Sequence, residues 1–143
     1  MTKTKTNDIA FKISKLAEHF DCSPDDISDH QNGVFEHDGE EFLVLSDEEA
    51  DEMVKEYILD SVWAFRADFL ASHLKDGVDQ EVIELIQSNG KCESNNSAIL
   101  SLIEDVDHFV HDAIISDGRG HFISSYDGEE IELNQNFFAY RVN

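Results

Sequence analysis

The sequence predicts an α+β fold, in which a small antiparallel β-sheet of two hairpins packs against a helical layer with a central long helix. Two of the four Asp-Gly pairs, a first at residues 38–39 and a second at residues 127–128, predict the hairpins because each is a tight-turn signal between apolar arms. Apolar residues at helical spacing through the middle of the chain predict the helices. With 143 residues, 41% of them hydrophobic, the chain has the size and apolar content of a single compact domain, residues 1–143.

The first third of the chain is predicted to hold a helix, a turn and a hairpin. Apolar residues recur on one face of residues 8–20, which indicates an amphipathic helix. Ser23 and Pro24 suit the N-cap and first position of a short acidic turn. In residues 34–45 the arms VFE and EFLVL flank the first Asp-Gly pair, which predicts the first hairpin.

The middle of the chain is predicted to be helical. Ser46 and Glu49 form a capping box that begins a long central helix ending near Leu74, apolar around most of its circumference in its second half. Residues 79–88 are predicted to form a shorter helix, and residues 97–116 another long one that ends at a Gly-containing turn.

The end of the chain is predicted to return to the sheet. Residues 121–126 and 131–133 flank the second Asp-Gly pair and are predicted to be strands, followed by a last strand over residues 137–142. Hairpins on both sides of a helical middle favour one small sheet covered by helices.

The acidic charge is the most unusual property of the sequence. Thirty-two Asp and Glu residues against ten Lys and Arg residues give a formal net charge of -22. Residues 1–20 carry a net +2, whereas residues 21–56 contain fourteen carboxylates against Lys55. A solubility coat would be spread evenly, so this concentration favours a surface that attracts a cationic partner. An ordinary solvated face, or the acidic surface of a halophile protein, is the alternative.

The composition also disfavours several classes of function. Phosphates would repel such a chain, which argues against direct contact with nucleic acid or anionic lipid. The sequence lacks the apolar stretch of a membrane span or signal peptide, and Cys22 and Cys92 have neither disulfide-framework nor zinc-site spacing. We therefore expect a cytoplasmic protein that has no membrane contact.

The sequence carries no catalytic motif, since the P-loop, GxGxxG, GxSxG and HExxH patterns are absent. We expect neither an enzyme nor a bound cofactor. The best metal candidate is the set Glu104, His108 and His111, which share a face at i, i+4 and i+7 if residues 97–116 form one helix. Because that face lies opposite the apolar stripe, a solvated polar face is the favoured interpretation.

The residues predicted to bind a partner are the carboxylates concentrated between positions 25 and 52: Asp25, Asp26, Asp29, Glu36, Asp38, Glu40, Glu41, Asp47, Glu48, Asp51 and Glu52. Carboxylates four residues apart on a helix are separated by about 6 Å of axial rise. Phosphates along one DNA strand are spaced comparably. Acidic loops beside an acidic helix can therefore present anions in a pattern that a nucleic-acid-binding groove accepts.

Two parts of the sequence resemble small acidic proteins of tailed phages. The runs are FLVLSDEEADEMVKEYILDSVWAF and ISDGRGHFISSYDGEEIEL with the closing FFAYRVN, and the likeness spans about residues 34–143. It implies an origin and no site. The charge is also similar to that of phage DNA-mimic proteins that block restriction enzymes or CRISPR complexes. Together the resemblances imply a viral anti-restriction or anti-CRISPR inhibitor, acting in the host cytoplasm on the basic groove of a host nuclease or defence complex.

Two other functions stay open. An immunity-like or antitoxin-like partner, or an accessory factor, would bind one host protein through a shaped apolar and acidic patch. A metal-dependent enzyme centred on Glu104, His108 and His111 is the third hypothesis. Steep weakening of binding by salt would favour mimicry, and binding retained at about 0.5 M salt would favour the shaped patch. Homodimer formation is left open.

Overall fold

The computed structural model describes the backbone of residues 2–89 and 93–143, and their side chains from residue 8 onward. These residues fall into two compact units, which are described separately below. The sheet unit comprises Met1–Met53 and Arg119–Asn143, and the helical unit comprises Val54–Gly118. The expectation of a single domain stays a prediction. Cys92 lies outside the described residues.

The fold is α+β, as predicted. Within the described ranges there are seven α-helices, which are α1 (Thr2–Phe20), α2 (Asp47–Asp60), α3 (Ala67–Ala71), α4 (Gln80–Ser88), α5 (Asn96–Leu100), α6 (Val106–Asp117) and α7 (Arg119–Ile123). The same ranges contain five strands, which are β1 (Ser28–Asp29), β2 (Val34–His37), β3 (Glu40–Ser46), β4 (Ile131–Glu132) and β5 (Phe137–Arg141). None of the helices in these ranges combines the length and apolar character that a membrane crossing requires.

The sheet is antiparallel throughout, with the strand order β1-β2-β3-β5-β4. The predicted first hairpin is confirmed. Its two-residue turn places Asp38 at φ 52° and Gly39 at φ 81°, which is the backbone that an Asp-Gly pair favours. β3 and β5 pair from Phe42↔Arg141 to Ser46↔Phe137, so the first hairpin and the last strand join in one sheet.

One face of the sheet packs on α1 to form the core of the sheet unit. Leu16 and Ala17 of α1 lie in one buried cluster with Phe35, Phe42 and other apolar strand residues. The alternation of β2 and β3 puts Phe35 and Phe42 on this face, so Glu36 and Glu41, one position along each strand, point to the other. The same alternation therefore places Glu36 and Glu41 on the sheet face opposite the core.

Two shorter predictions are also confirmed. Glu49 N–H donates to Ser46 Oγ at 3.2 Å, and Ser46 N–H donates to Glu49 Oε1 at 2.9 Å, which is the predicted capping box at the start of α2. Ser23 caps the 3₁₀ turn Pro24–Asp26 in the same reciprocal way. α4 also forms at the predicted position, and α1 covers the predicted residues 8–20 but begins earlier, at Thr2.

The long central helix is shorter than predicted, because α2 ends at Asp60 instead of near Leu74. In a continuous helix the Trp63 N–H would bond to the Leu59 carbonyl. The Asn96 side chain takes both groups instead: its Oδ1 accepts from Trp63 N–H at 3.1 Å, and its Nδ2 donates to Leu59 O at 2.7 Å. An amide from a distant segment thus replaces one helical hydrogen bond and ends the helix.

The predicted helix over residues 97–116 is also interrupted, and its parts are α5 and α6. Asp105 caps α6, since its side chain accepts from His108 N–H at 3.2 Å. Just before this cap, Glu104 N–H donates to His73 O at 3.0 Å, and Lys75 N–H donates to Leu102 O at 2.9 Å. These backbone bonds hold residues 102–104 in an extended pairing that a helix would not permit.

The predicted strand over residues 121–126 is wrong, because its first residues belong to α7. Gly120 allows the close packing of this helix: a Cβ there would lie 2.6 Å from the Gly128 carbonyl oxygen. The second Asp-Gly pair therefore connects α7 to β4 instead of joining two strands. The second hairpin is formed by β4 and β5, which pair at Ile131↔Ala139 and Glu132↔Phe138.

Candidate functional site

All eleven carboxylates predicted to bind a partner lie in the sheet unit. Asp25 and Asp26 lie in the 3₁₀ turn, Asp29 on β1, Glu36 on β2, Asp38 in the hairpin turn, Glu40 and Glu41 on β3, and Asp47, Glu48, Asp51 and Glu52 on the first two turns of α2. These eleven residues form the acidic segment of the chain. Folding therefore places the whole predicted set on consecutive elements of one unit.

Three of these carboxylates contact basic or imidazole groups around the first hairpin. Glu36 and Glu41 face each other across β2 and β3, and the two ring nitrogens of His30 lie 3.0 Å and 3.2 Å from one oxygen of each. Arg141 Nη1 lies 3.0 Å from Glu40 Oε2. Opposed carboxylates repel each other, and the His30 ring lies between Glu36 and Glu41, while Arg141 pairs with the neighbouring Glu40.

Glu41 is held in its charged form. The Asn143 side chain donates to Glu41 Oε2 at 2.6 Å, and this bond, followed by that from His30, lowers the pKa of the Glu41 carboxyl. This carboxylate therefore stays ionised to a lower pH than an ordinary Glu.

Two further carboxylates of the acidic segment contact Arg119. Its guanidinium lies 2.8 Å from Asp47 Oδ1, 3.0 Å from Asp51 Oδ1 and 2.7 Å from Glu130 Oε1. Burial alone would lower the pKa of Arg119, but its hydrogen bonds to Glu130 and Asp47 raise it above its usual value. A single buried cation thus gathers carboxylates from α2 and from the segment before β4.

The remaining carboxylates of the acidic segment make no ion pair with any described side chain. Asp26 and Asp29 accept hydrogen bonds from nearby backbone N–H groups of Ser23 and Gln31. Four others are exposed, and they are Asp25, Asp38, Glu48 and Glu52. Glu48 and Glu52 stand four residues apart on α2, so their separation along the helix axis is about 6 Å. These four carboxylates are exposed and have neither an ion pair nor an accepted hydrogen bond among the described residues.

The predicted metal set is not brought together as expected. Glu104 precedes α6 instead of lying on it, so it does not stand one helical turn before His108. His111 is exposed on α6. The structure instead places His108 beside His73 and Asp112, and the ligand atoms of these three side chains all lie within 4.8 Å of one another.

His73 and Asp112 were therefore missed by sequence reasoning. The sequence spacing could have indicated Asp112, because this residue lies four positions after His108 and shares its helix face. It could not have indicated His73, since this residue lies 35 positions before His108 and is brought there by the backbone pairing with residues 102–104.

No protein-family model, curated protein or solved structure matches this chain.

Proposed function

We propose that this chain is a non-enzymatic, phage-encoded inhibitor that binds the basic nucleic-acid-binding groove of a host nuclease or defence complex by mimicking DNA or RNA. The observation that carries this proposal is the group of four exposed carboxylates that have neither an ion pair nor an accepted hydrogen bond among the described residues, Asp25, Asp38, Glu48 and Glu52, within one compact unit. Other carboxylates of the acidic segment are occupied by His30, Arg119 or Arg141.

Charge and spacing both support the proposal. A chain of net charge -22 is attracted to a cationic groove and is repelled by nucleic acid itself. The rise between Glu48 and Glu52, about 6 Å, is close to two phosphate steps along one strand, at roughly 3.4 Å per step. A groove shaped for successive phosphates can therefore accept these carboxylates.

The proposal is tested with a variant in which only the four available carboxylates are neutralised: Asp25→Asn, Asp38→Asn, Glu48→Gln and Glu52→Gln. The control variant removes four exposed carboxylates of the helical unit that make no ion pair with a described side chain: Asp60→Asn, Asp76→Asn, Glu93→Gln and Asp117→Asn. Both variants have the same net charge. The difference between them therefore isolates position from overall charge.

Each variant is immobilised, incubated with bacterial host lysate and eluted with increasing salt. We expect the wild-type chain and the control to retain a nucleic-acid-binding protein that is released well below about 0.5 M salt, because screening removes the attraction. The first variant should not retain it. Equal retention by both variants would contradict mimicry by this surface.

A second candidate function is favoured by one observation on α4. Leu85 and Val82 are 65% and 38% exposed, and Glu81 and Glu84 are exposed beside them. An apolar pair with an acidic rim is typical of a shaped patch that binds one protein, as in an immunity or antitoxin partner. Binding that survives about 0.5 M salt and is lost in Leu85→Ser would favour this function over mimicry.

A further inference from the structure

A histidine and carboxylate cluster lies in the helical unit. His73 Nε2 lies 3.2 Å from Asp112 Oδ2, and His108 Nε2 lies 3.4 Å from the same oxygen. The His73 side chain is 4% exposed and that of His108 is 61% exposed. The cluster therefore reaches from the interior of the unit to its surface.

Backbone geometry holds the three side chains in place. His108 and Asp112 share a face of α6 at i and i+4. His73 lies after α3, where its carbonyl accepts from Glu104 N–H and where Leu74 pairs with Ile103. The His73 ring also packs against Phe69 and Phe109, with ring centroids 5.6 Å and 5.4 Å away. The buried ligand is thus fixed, and the exposed one is free to adjust.

The distances fit a metal site. Zinc binds imidazole nitrogen at about 2.0–2.1 Å in a tetrahedral arrangement, which puts two ligand atoms about 3.3 Å apart. The separations of His73 and His108 from the Asp112 oxygen, 3.2 Å and 3.4 Å, already have this value. The two histidine nitrogens lie within 4.8 Å of each other, and a bound ion would require the exposed His108 side chain to bring its nitrogen to about 3.3 Å from that of His73.

We propose that His73, His108 and Asp112 bind a divalent transition-metal ion of the zinc class. Two imidazoles and one carboxylate favour zinc and its neighbours over magnesium or calcium, which prefer sites made of oxygen ligands. An open groove of about 510 Å³ lined by His73 and His108 adjoins the cluster, and its other lining residues include Glu104, Asp105 and Asp107. This acidic groove attracts a cation and leaves room for water at the fourth position. The ion links the segment after α3 to α6 and so stabilises the helical unit.

The proposal is tested by titrating tag-free chain with zinc chloride in a calorimeter, with magnesium chloride as the comparison. We expect one equivalent of zinc to bind with saturation and to raise the midpoint of thermal unfolding, since the ion binds only the folded arrangement. Magnesium should do neither. Cobalt added as a spectroscopic probe should give the visible bands of tetrahedral coordination.

Variants separate this set of ligands from the one predicted by sequence. His108→Ala and Asp112→Asn should weaken zinc binding at least about tenfold, since even the loss of a group that only supports a ligand commonly costs that much. His111→Ala, on the same helix, should leave binding unchanged. Glu104→Gln removes one charge of the groove and no proposed ligand, so it should weaken zinc binding far less than His108→Ala. The choice of His108 as the main variant avoids a folding defect, because its side chain is exposed.

Several results would overturn the proposal. They are the absence of saturable zinc binding, equal binding of magnesium, and loss of binding in His111→Ala or Glu104→Gln equal to that in His108→Ala. In each case the His73–Asp112 contact would be a hydrogen bond that gives the buried His73 ring a polar partner and has no role in metal binding.

Discussion

At the scale of single residues, Arg119 is the most consequential cation that the structure describes. Its side chain is 11% exposed, contacts three carboxylates and stacks on Phe138, with 4.5 Å from the guanidinium carbon to the ring centroid. The sequence contains three Arg against 32 acidic residues, so a buried position for one of them is informative. Without Arg119, Asp47, Asp51 and Glu130 would repel each other.

We predict that Arg119→Met lowers the free energy of unfolding by about 2–3 kcal/mol, because several hydrogen bonds to charged groups are lost together. Arg66→Met is the matched control. Arg66 is 84% exposed and contacts Asp68, so its loss should change stability by less than about 0.5 kcal/mol. Urea unfolding followed by circular dichroism measures both. Equal effects would show that the Arg119 contacts contribute no more than a surface pair.

Tyr140 gives a prediction about alkaline pH. Burial, and then its hydrogen bond to Glu130, raise the pKa of the Tyr140 hydroxyl above its ordinary value of 10.0. The folded chain then keeps this proton at a pH where the unfolded chain has lost it. The contribution of Tyr140 to the free energy of unfolding is therefore fully present below about pH 10. It decreases as the pH rises further, by up to about 1.4 kcal/mol per pH unit.

Tyr140→Phe removes the titrating hydroxyl and should flatten this part of the pH profile. The measurement is the free energy of unfolding in urea at several values of pH between about 9 and 11, for the wild type and the variant. Other groups titrate in the same range, so the difference between the two profiles is the quantity to read. Parallel profiles would mean that Tyr140 does not keep its proton.

At the scale of elements, the ends of the helices are set by distant contacts. The residues after α2 are apolar and helix-compatible, and the sequence there contains no Gly or Pro before Gly77. Yet α2 ends at Asp60, where the Asn96 amide replaces the bond between Leu59 and Trp63. Helix propensity is weak beside a well-formed pair of side-chain hydrogen bonds.

We predict that Asn96→Ala destabilises the chain by about 1–3 kcal/mol, because two backbone groups lose their partner in a half-buried position. Ser97→Ala, at the exposed neighbouring position, is the control and should change stability by less than about 0.5 kcal/mol. Chemical denaturation of both variants checks this. No loss in Asn96→Ala, together with higher helix content, would mean that α2 simply extends when the amide is removed.

Local signals and distant contacts explain which elements could be predicted from the sequence. The capping box at Ser46, the Asp38-Gly39 turn and α4 depend on neighbouring residues, and they form as predicted. The end of α2 depends on Asn96, and the interruption before α6 on the pairing of Leu74 with Ile103. No spacing rule connects residues so far apart, so these breaks could not be predicted.

The candidate sites also combine features that are visible in the sequence with features that depend on distant contacts. The density of carboxylates between positions 25 and 52 is visible in the sequence, and folding keeps them in one unit. Which of them form ion pairs with arginine depends on Arg119 and Arg141, and both are far away along the chain. Asp25, Asp38, Glu48 and Glu52 are the exposed carboxylates of the acidic segment that have no ion pair and accept no hydrogen bond among the described residues.

At the scale of the whole molecule, the excess of negative charge exceeds what internal pairing can absorb. Ten Lys and Arg residues cannot neutralise 32 carboxylates, so the folded chain carries a strong negative field. Such a field costs stability through repulsion, and contact with a cationic groove relieves that repulsion. Binding to a basic protein surface is the use of this charge that we propose.

Competition with duplex DNA tests this claim most directly. The protein captured from host lysate is mixed with fluorescently labelled duplex, and the anisotropy of the label is followed as the chain is added. Mimicry predicts that the wild-type chain displaces the duplex completely, and that the variant neutralised at Asp25, Asp38, Glu48 and Glu52 needs at least about tenfold more, a loss of about 1.4 kcal/mol. A complex in which the chain and the duplex are bound together would contradict it.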